Sequence, residues 1–113
     1  MEDAKKFQAE LWPNIRCVTT PSGERFYFPG NSFRMLETLY NAGGDPVTHE
    51  DISRAVLGDR HEGSKTKPAA LTGTCGTQLR TILAGSGLTV NNLHGIGYYL
   101  VEDYDHSKPG VPA

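Results

Sequence analysis

The side chains of this chain that could serve a catalytic centre include Cys75, His49 and His61, but His61 falls with Glu62 in a predicted loop without partners. A thiol acts as a nucleophile when a histidine lies beside it. Cys75, however, falls between Leu71 and Leu79 at helical spacing, which predicts a buried thiol on the core side of a helix. His49 precedes Glu50 but lacks the second histidine, four residues further on, that the helix of a zinc protease requires. We therefore predict that the protein is not an enzyme.

No pattern in the sequence predicts a metal or cofactor site. The two cysteines, Cys17 and Cys75, form neither a CxxC pair nor a zinc-type cluster with histidine. The turn Gly95-Ile96-Gly97 neither follows a first strand nor opens a helix, so it is not a dinucleotide-binding fingerprint. We expect no metal and no cofactor, and two free thiols suit a reducing compartment.

The length and composition are those of one soluble globular domain. The chain has 113 residues, of which 37% are hydrophobic and 21% charged, and a chain of this size encloses one core. The formal net charge of −2 argues against a strongly basic nucleic-acid binder, although a basic patch can exist within a neutral total. No apolar run approaches the roughly 18 residues of a membrane span, and the polar N-terminus does not resemble a secretory signal. We therefore expect a cytoplasmic protein that does not enter a membrane.

The first residues show helical spacing. Ala4, Phe7 and Leu11 lie three and then four residues apart, on one face of a helix, and Pro13 would end that helix. We therefore predict that residues 1–13 form an N-terminal helical extension, which either caps the core or serves as a dimerisation arm.

A hairpin and a first helix follow. Residues 15–18 and 26–28 are short β-forming runs on either side of a Pro-Ser-Gly turn, which is typical of a β-hairpin. Asn31 or Ser32 is the expected N-cap of the first helix, and the paired glycines after residue 42 end it.

Two more helices are predicted by their ends. Thr48 is the expected N-cap of the second helix and Gly58 its end. A proline opens the third, residues 68–84. Gly73 and Gly76 inside that helix each cost about 1 kcal/mol relative to alanine, so they indicate either close packing of the helix or a weak first turn.

The last element is a second hairpin with its turn at residues 94–97. Beyond the turn, Tyr98 and Leu100 alternate towards the core. We expect residues 14–103 to form the folded domain and residues 104–113 a flexible tail. The order of hairpin, three helices and hairpin predicts an α+β fold, a winged helix-turn-helix with an N-terminal β-hairpin, a three-helix core and a C-terminal wing hairpin.

Several stretches of the sequence resemble the DNA-binding domain of OmpR/PhoB-type response regulators. They cover about residues 14–102 and are, in order, FPGNSFRMLETLYNAGGDPVTHEDISRAVLG, TQLRTIL and VNNLHGIGYYL. The most specific element is the Gly-Ile-Gly-Tyr of the wing, because it follows a helix-turn-helix at the spacing of that family.

The resemblance implies a DNA-binding function. It predicts that the third helix, about residues 68–84, enters the major groove of double-stranded DNA while the wing, residues 90–100, contacts the minor groove. The protein would then be a stand-alone, sequence-specific transcriptional regulator. The 113 residues include no receiver domain, so if they are the complete protein, aspartyl phosphorylation is not expected to switch it. Such a regulator could also bind protein partners, namely RNA polymerase or a second copy of the chain in a homodimer.

The resemblance also predicts which side chains contact DNA. It places a row of threonines and Gln78 on the groove side of the third helix, Arg80 at a commonly basic position, and His94 where the family usually has arginine. Lysines and arginines bind phosphate, a glutamine amide can pair with adenine, and a threonine methyl can touch thymine. The predicted DNA-binding residues are Lys65, Lys67, Thr74, Thr77, Gln78, Arg80, Thr81 and His94.

A second hypothesis is a winged helix that has been repurposed for protein–protein contact, for example with RNA polymerase or another regulator. The third helix has one arginine, whereas the recognition helices of the family usually have several. That scarcity of positive charge, together with the estimated pI of 6.0, favours this alternative. Binding to duplex DNA at low salt separates the two hypotheses.

Overall fold

Three α-helices pack with two small antiparallel sheets in the computed structural model, which describes residues 7–61, 63 and 67–104, with the backbone alone at residues 60 and 61. The elements are β1 (Glu10–Trp12), β2 (Cys17–Thr19), β3 (Arg25–Tyr27), α1 (Gly30–Asn41), β4 (Val47–Thr48), α2 (His49–Leu57), α3 (Pro68–Leu83), β5 (Leu88–Leu93) and β6 (Gly97–Glu102). This order confirms the predicted fold class and adds the strands β1 and β4 to it.

The predicted N-terminal helix is wrong where the structure describes it. Glu10–Trp12 form β1, which pairs antiparallel with β2, and residues 1–6 lie outside the described residues. Phe7 and Ala9 are buried and Leu11 is half-buried, while the residues between them are exposed. This alternation has the period of a strand, and pairing with β2 overrides the helical spacing of the same residues. Phe7 and Ala9 pack in the same core as the three helices.

Sequence-local signals set the ends of α2. The Asp51 N–H donates a hydrogen bond to the Thr48 hydroxyl at 3.1 Å, which confirms Thr48 as the N-cap. Gly58 ends the helix in a conformation with φ +60°, which glycine adopts without steric cost.

The start of α1 differs from the expectation. The helix begins at Gly30, and the Phe33 N–H donates to the Pro29 carbonyl at 2.8 Å. Neither Asn31 nor Ser32 therefore serves as the N-cap. Ser32 is instead fully buried in the first turn.

The second sheet contains the wing and has the strand order β4-β6-β5. β5 and β6 form the predicted hairpin, while β4 adds a third strand through the pairing of Thr48 with Gly97. A two-residue strand has no periodic pattern of its own, so the sequence does not indicate it. The His49 N–H also donates to the Ile96 carbonyl at 3.0 Å. The start of α2 is thus fixed to the wing.

One hydrophobic core joins both sheets to the helices. Its largest fully buried apolar side chains are Met35, Leu36, Leu39, Ile52, Leu79, Leu83 and Leu100. The inward alternation predicted for β6 is confirmed, because Tyr98 and Leu100 are buried while Tyr99 between them is partly exposed. The core holds α3 against α1, α2 and the wing.

Glu102, in the last strand, binds the N-terminal segment. Its carboxylate accepts hydrogen bonds from the N–H groups of Gln8 and Ala9, each at 2.7 Å, and from the Tyr104 hydroxyl at 2.7 Å. The Tyr40 hydroxyl donates to the Ala9 carbonyl at 2.5 Å. Together these bonds fix residues 8 and 9 on the folded domain.

Tyr104 should make stability fall at alkaline pH. Burial raises the pKa of Tyr104 well above its ordinary value, and the hydrogen bond to Glu102 and the negative charge of Glu102 raise it further. The folded state therefore holds this proton more tightly than the unfolded chain, so the stabilisation is complete below a pH of about 10 and is lost as the pH rises beyond it. We expect the free energy of unfolding in urea to fall more steeply above about pH 10 in the wild type than in Tyr104→Phe. Parallel pH profiles of the two proteins would contradict this expectation.

Candidate functional site

The third helix presents most of the predicted binding residues, and its inner side fixes its orientation. Cys75, Leu79 and Leu83 are buried along that side. Gly76 lies against the ring of Tyr98 in β6, where an added Cβ would be 3.2 Å from Cε2. Of the two alternatives for the helix glycines, Gly76 therefore fits close packing. The helix and the wing meet at this glycine.

The outer side of α3 carries uncharged side chains apart from Arg80. Its exposed uncharged residues are Ala69, Ala70, Thr74, Thr77, Gln78 and Thr81. Gly73 lies among them, and a Cβ added there would meet nothing within 4 Å. No charged side chain stands in the middle of this surface, so it can contact a partner at short range without desolvating an ion.

The hydroxyls of two threonines on this surface are engaged by the helix itself. The Thr74 hydroxyl donates to the Ala70 carbonyl at 3.2 Å, and the Thr77 hydroxyl donates to the Gly73 carbonyl at 2.9 Å. This back-bonding is common for threonine in helices. Each side chain therefore offers a partner its methyl group and the acceptor lone pairs of its hydroxyl oxygen, but no hydrogen-bond donor.

A residue of α1, Ser32, orients the side chain of Gln78. The Gln78 side-chain oxygen Oε1 accepts a hydrogen bond from the hydroxyl of the fully buried Ser32. Ser32 also lies beside the Cys75 thiol. The two N–H donors of the Gln78 amide remain for a partner.

The wing orients Arg80. Its Nε donates to the Val90 carbonyl of β5 at 3.1 Å, and its guanidinium carbon lies 5.9 Å from the centre of the Tyr98 ring. Arg80 is exposed nevertheless. The side chain thus joins α3 to the wing, and its terminal nitrogens are the part that can reach a phosphate.

His49 connects three elements, a role that the sequence patterns did not indicate. Its Nδ1 lies 2.7 Å from the hydroxyl of Thr72, which is buried in α3. That hydroxyl donates its own proton to the Ala69 carbonyl at 3.2 Å, so it accepts a hydrogen bond from His49. The His49 ring also packs against the Tyr98 ring in a T-shaped arrangement, with 5.5 Å between the ring centroids. His49 therefore links α2, α3 and the wing. Its position directly after the N-cap of α2 was the available signal.

Two further predicted binding residues lie at the two ends of this surface. Lys67 is exposed immediately before α3, and His94 is exposed at the wing turn. Ile96, at the tip of that turn, is 49% exposed. Lys65 lies outside the described residues. Lys67, the outer side of α3 and the wing turn constitute the candidate surface.

The described residues offer little for other chemistry. Both cysteines are free and buried, and burial raises the pKa of the Cys75 thiol, although its hydrogen bond with Ser32 opposes this. This agrees with the predicted buried thiol. Within residues 7–61, 63 and 67–104 there is no group of three or more His, Cys, Asp or Glu side chains that could hold a metal ion. No helix in that part of the chain is both long and apolar enough to cross a membrane.

The fold is shared with solved DNA-binding domains. The DNA-binding domain of Bacillus subtilis CssR is 20% identical over 82% of this chain and 99% of that one, with a TM-score of 0.65. The DNA-binding domain of E. coli CpxR is 23% identical over 91% of this chain and 97% of that one, with a TM-score of 0.64. That of the response regulator AdeR, in complex with an intercistronic region, is 13% identical over 84% and 95%, with a TM-score of 0.66.

No protein-family model matches the sequence, and no curated protein matches it either. At these identities the structural similarity establishes the fold, which is the winged helix predicted from the sequence.

Proposed function

We propose that the protein binds double-stranded DNA and regulates transcription, with α3 in the major groove and the wing in the adjacent minor groove. The observation that carries the proposal is the exposed polar side of α3 beside an exposed wing turn, in the fold of solved DNA-binding domains. One of the similar structures is a complex with an intercistronic region. A regulator of this kind would act in the cytoplasm.

The charges predict a shallow salt dependence. Lys65, Lys67 and Arg80 are the cations expected at the DNA backbone, and three phosphate contacts give a slope of about −2.7 in a plot of log affinity against log salt. We expect binding to random-sequence duplex DNA at low salt, and a roughly 40-fold loss between about 50 and 200 mM salt. Fluorescence anisotropy with a labelled duplex measures both quantities. A folded protein that binds no duplex at low salt would overturn the proposal.

Matched variants show whether the contacts are made where we propose. Lys67→Ala should weaken binding to all sequences alike and make the salt slope shallower by about 1. Arg25→Ala is the control, because Arg25 is also exposed but lies on β3, outside α3 and the wing. Equal effects of the two substitutions would indicate general charge attraction.

The second candidate function is contact with a protein, such as RNA polymerase or another copy of this chain. The specific observation in its favour is the uncharged middle of the exposed side of α3. It becomes the better proposal if folded protein fails to bind duplex DNA in the experiment above.

A further inference from the structure

The threonines of α3 face their partner with methyl groups. The hydroxyl protons of Thr74 and Thr77 are used by the carbonyls of Ala70 and Gly73. A threonine that reads a base by hydrogen bonding needs that proton free to donate. At these two positions the side chain therefore cannot donate a hydrogen bond to a base, and its methyl group is the apolar surface that it offers.

Gln78 adds donors to this surface. An amide reads adenine with one donor and one acceptor together. The fully buried Ser32 donates to Oε1 of Gln78 and so holds this acceptor turned towards α1. What Gln78 presents is a pair of N–H groups, which match an acceptor on a base edge.

The group of α3 that could read guanine is turned towards the wing. Guanine is typically recognised by arginine or lysine, which binds its two acceptors at once. Arg80 is the cation nearest to the middle of α3, and its Nε is bound to the Val90 carbonyl while its guanidinium lies over the Tyr98 ring. This leaves the threonine methyls and the Gln78 donors as the groups that meet the bases.

Thymine is the base that matches both the threonine methyl groups and the N–H donors of Gln78. In the major groove it presents a methyl group at C5 and an acceptor at O4. We propose that α3 recognises thymines in its binding site, through apolar contact of Thr74 and Thr77 with the C5 methyls and a hydrogen bond from the Gln78 amide to O4. This inference rests on the proposed DNA-binding function and names the base that the function reads.

Replacing thymine by deoxyuridine tests the methyl contacts alone, because uracil keeps O4 and the base pairing. The probe is a duplex selected for binding from a random-sequence pool at low salt, synthesised once with thymine and once with deoxyuridine. Removing one buried methyl should weaken binding about fourfold, and removing two roughly 15-fold. Equal affinity for the two duplexes would overturn the inference while leaving DNA binding intact. If the pool yields no bound duplex at all, the proposed function itself fails.

Two substitutions at Thr77 assign the effect to the protein. Thr77→Ser keeps the hydroxyl and loses the methyl, so it should bind the thymine duplex about fourfold more weakly and be less sensitive to deoxyuridine. Thr77→Val keeps the methyl group and replaces the hydroxyl by a second methyl, so it should bind like the wild type. The reverse order of the two variants would mean that the hydroxyl reads the base, and would overturn the inference.

Thr38 provides the matched control. Its hydroxyl donates to the Arg34 carbonyl at 2.7 Å, in the same back-bonded arrangement, but on α1. Thr38→Ser should leave the affinity for both duplexes unchanged. A loss equal to that of Thr77→Ser would mean that the serine acts through helix stability and would overturn the assignment to Thr77.

Discussion

Alanine at Gly97 should lower the free energy of unfolding by about 3 kcal/mol or more. Gly97 pairs with Thr48 where β4 runs beside β6. A Cβ there would overlap the Val47 carbonyl oxygen and stand 2.8 Å from the Thr48 Cα. Because both are backbone atoms, no side-chain rotation relieves the overlap. The alanine variant can fold only if β4 moves away from the wing.

Urea unfolding measures this effect, and two other glycines provide controls. Gly95 has φ +76° and open space around it, so Gly95→Ala should cost only the left-handed strain of about 1–2 kcal/mol. Gly73 is helical with nothing within 4 Å, so Gly73→Ala should stabilise the protein by up to about 1 kcal/mol. A Gly97 variant as stable as the Gly95 variant would show that close approach of β4 is not what requires glycine.

Removing the Glu102 carboxylate should lower the free energy of unfolding by about 2 kcal/mol or more. The carboxylate accepts hydrogen bonds from Gln8, Ala9 and Tyr104, each at 2.7 Å. Ala9 is fully buried, so in Glu102→Ala its N–H would lose its partner in a place where water replaces it poorly. Hydrogen bonds to a charged group are also the stronger kind.

The neighbouring Asp103 is the matched control for Glu102. It is an exposed carboxylate one position further on, and Asp103→Ala should change stability by no more than about 0.5 kcal/mol. Glu102→Gln should lie between the two, because its amide keeps the shape and one acceptor but gives up the charge. If the Glu102 and Asp103 variants are equally stable, the carboxylate contributes nothing to fixing the N-terminal segment.

The second and third helices were predictable from sequence because their ends carry local chemistry. Thr48 caps α2 through the N–H three residues on, and Gly58 ends it with a positive φ. Pro68 opens α3. Signals of this kind act within one turn of a helix, so they hold whatever the rest of the chain does.

The N-terminal strand was not predictable in the same way. Positions 4, 7 and 11 have the spacing of a helix, while positions 7, 9 and 11 have that of a strand, and the sequence contains both. The pairing of Leu11 with Val18 decides between them. Such a choice is made by tertiary contact rather than by local propensity.

The exposure of residues on the candidate surface was predictable, and what each offers a partner was not. The resemblance correctly placed Thr74, Thr77 and Gln78 on the exposed side of α3. What each side chain offers depends on distant partners, since Gln78 is bound by Ser32 at a separation of 46 residues and Arg80 by Val90 across 10. No spacing rule relates residues so far apart in the chain.

The contact between Glu102 and residues 8 and 9 determines where other proteins would lie if they were fused to the two ends of the domain. It brings the first and last described residues to one edge of the fold. Domains whose ends adjoin tolerate circular permutation and insertion into a host protein. A protein fused before residue 7 and another fused after residue 104 would therefore start side by side. The domain would not act as a spacer that separates the two fused proteins.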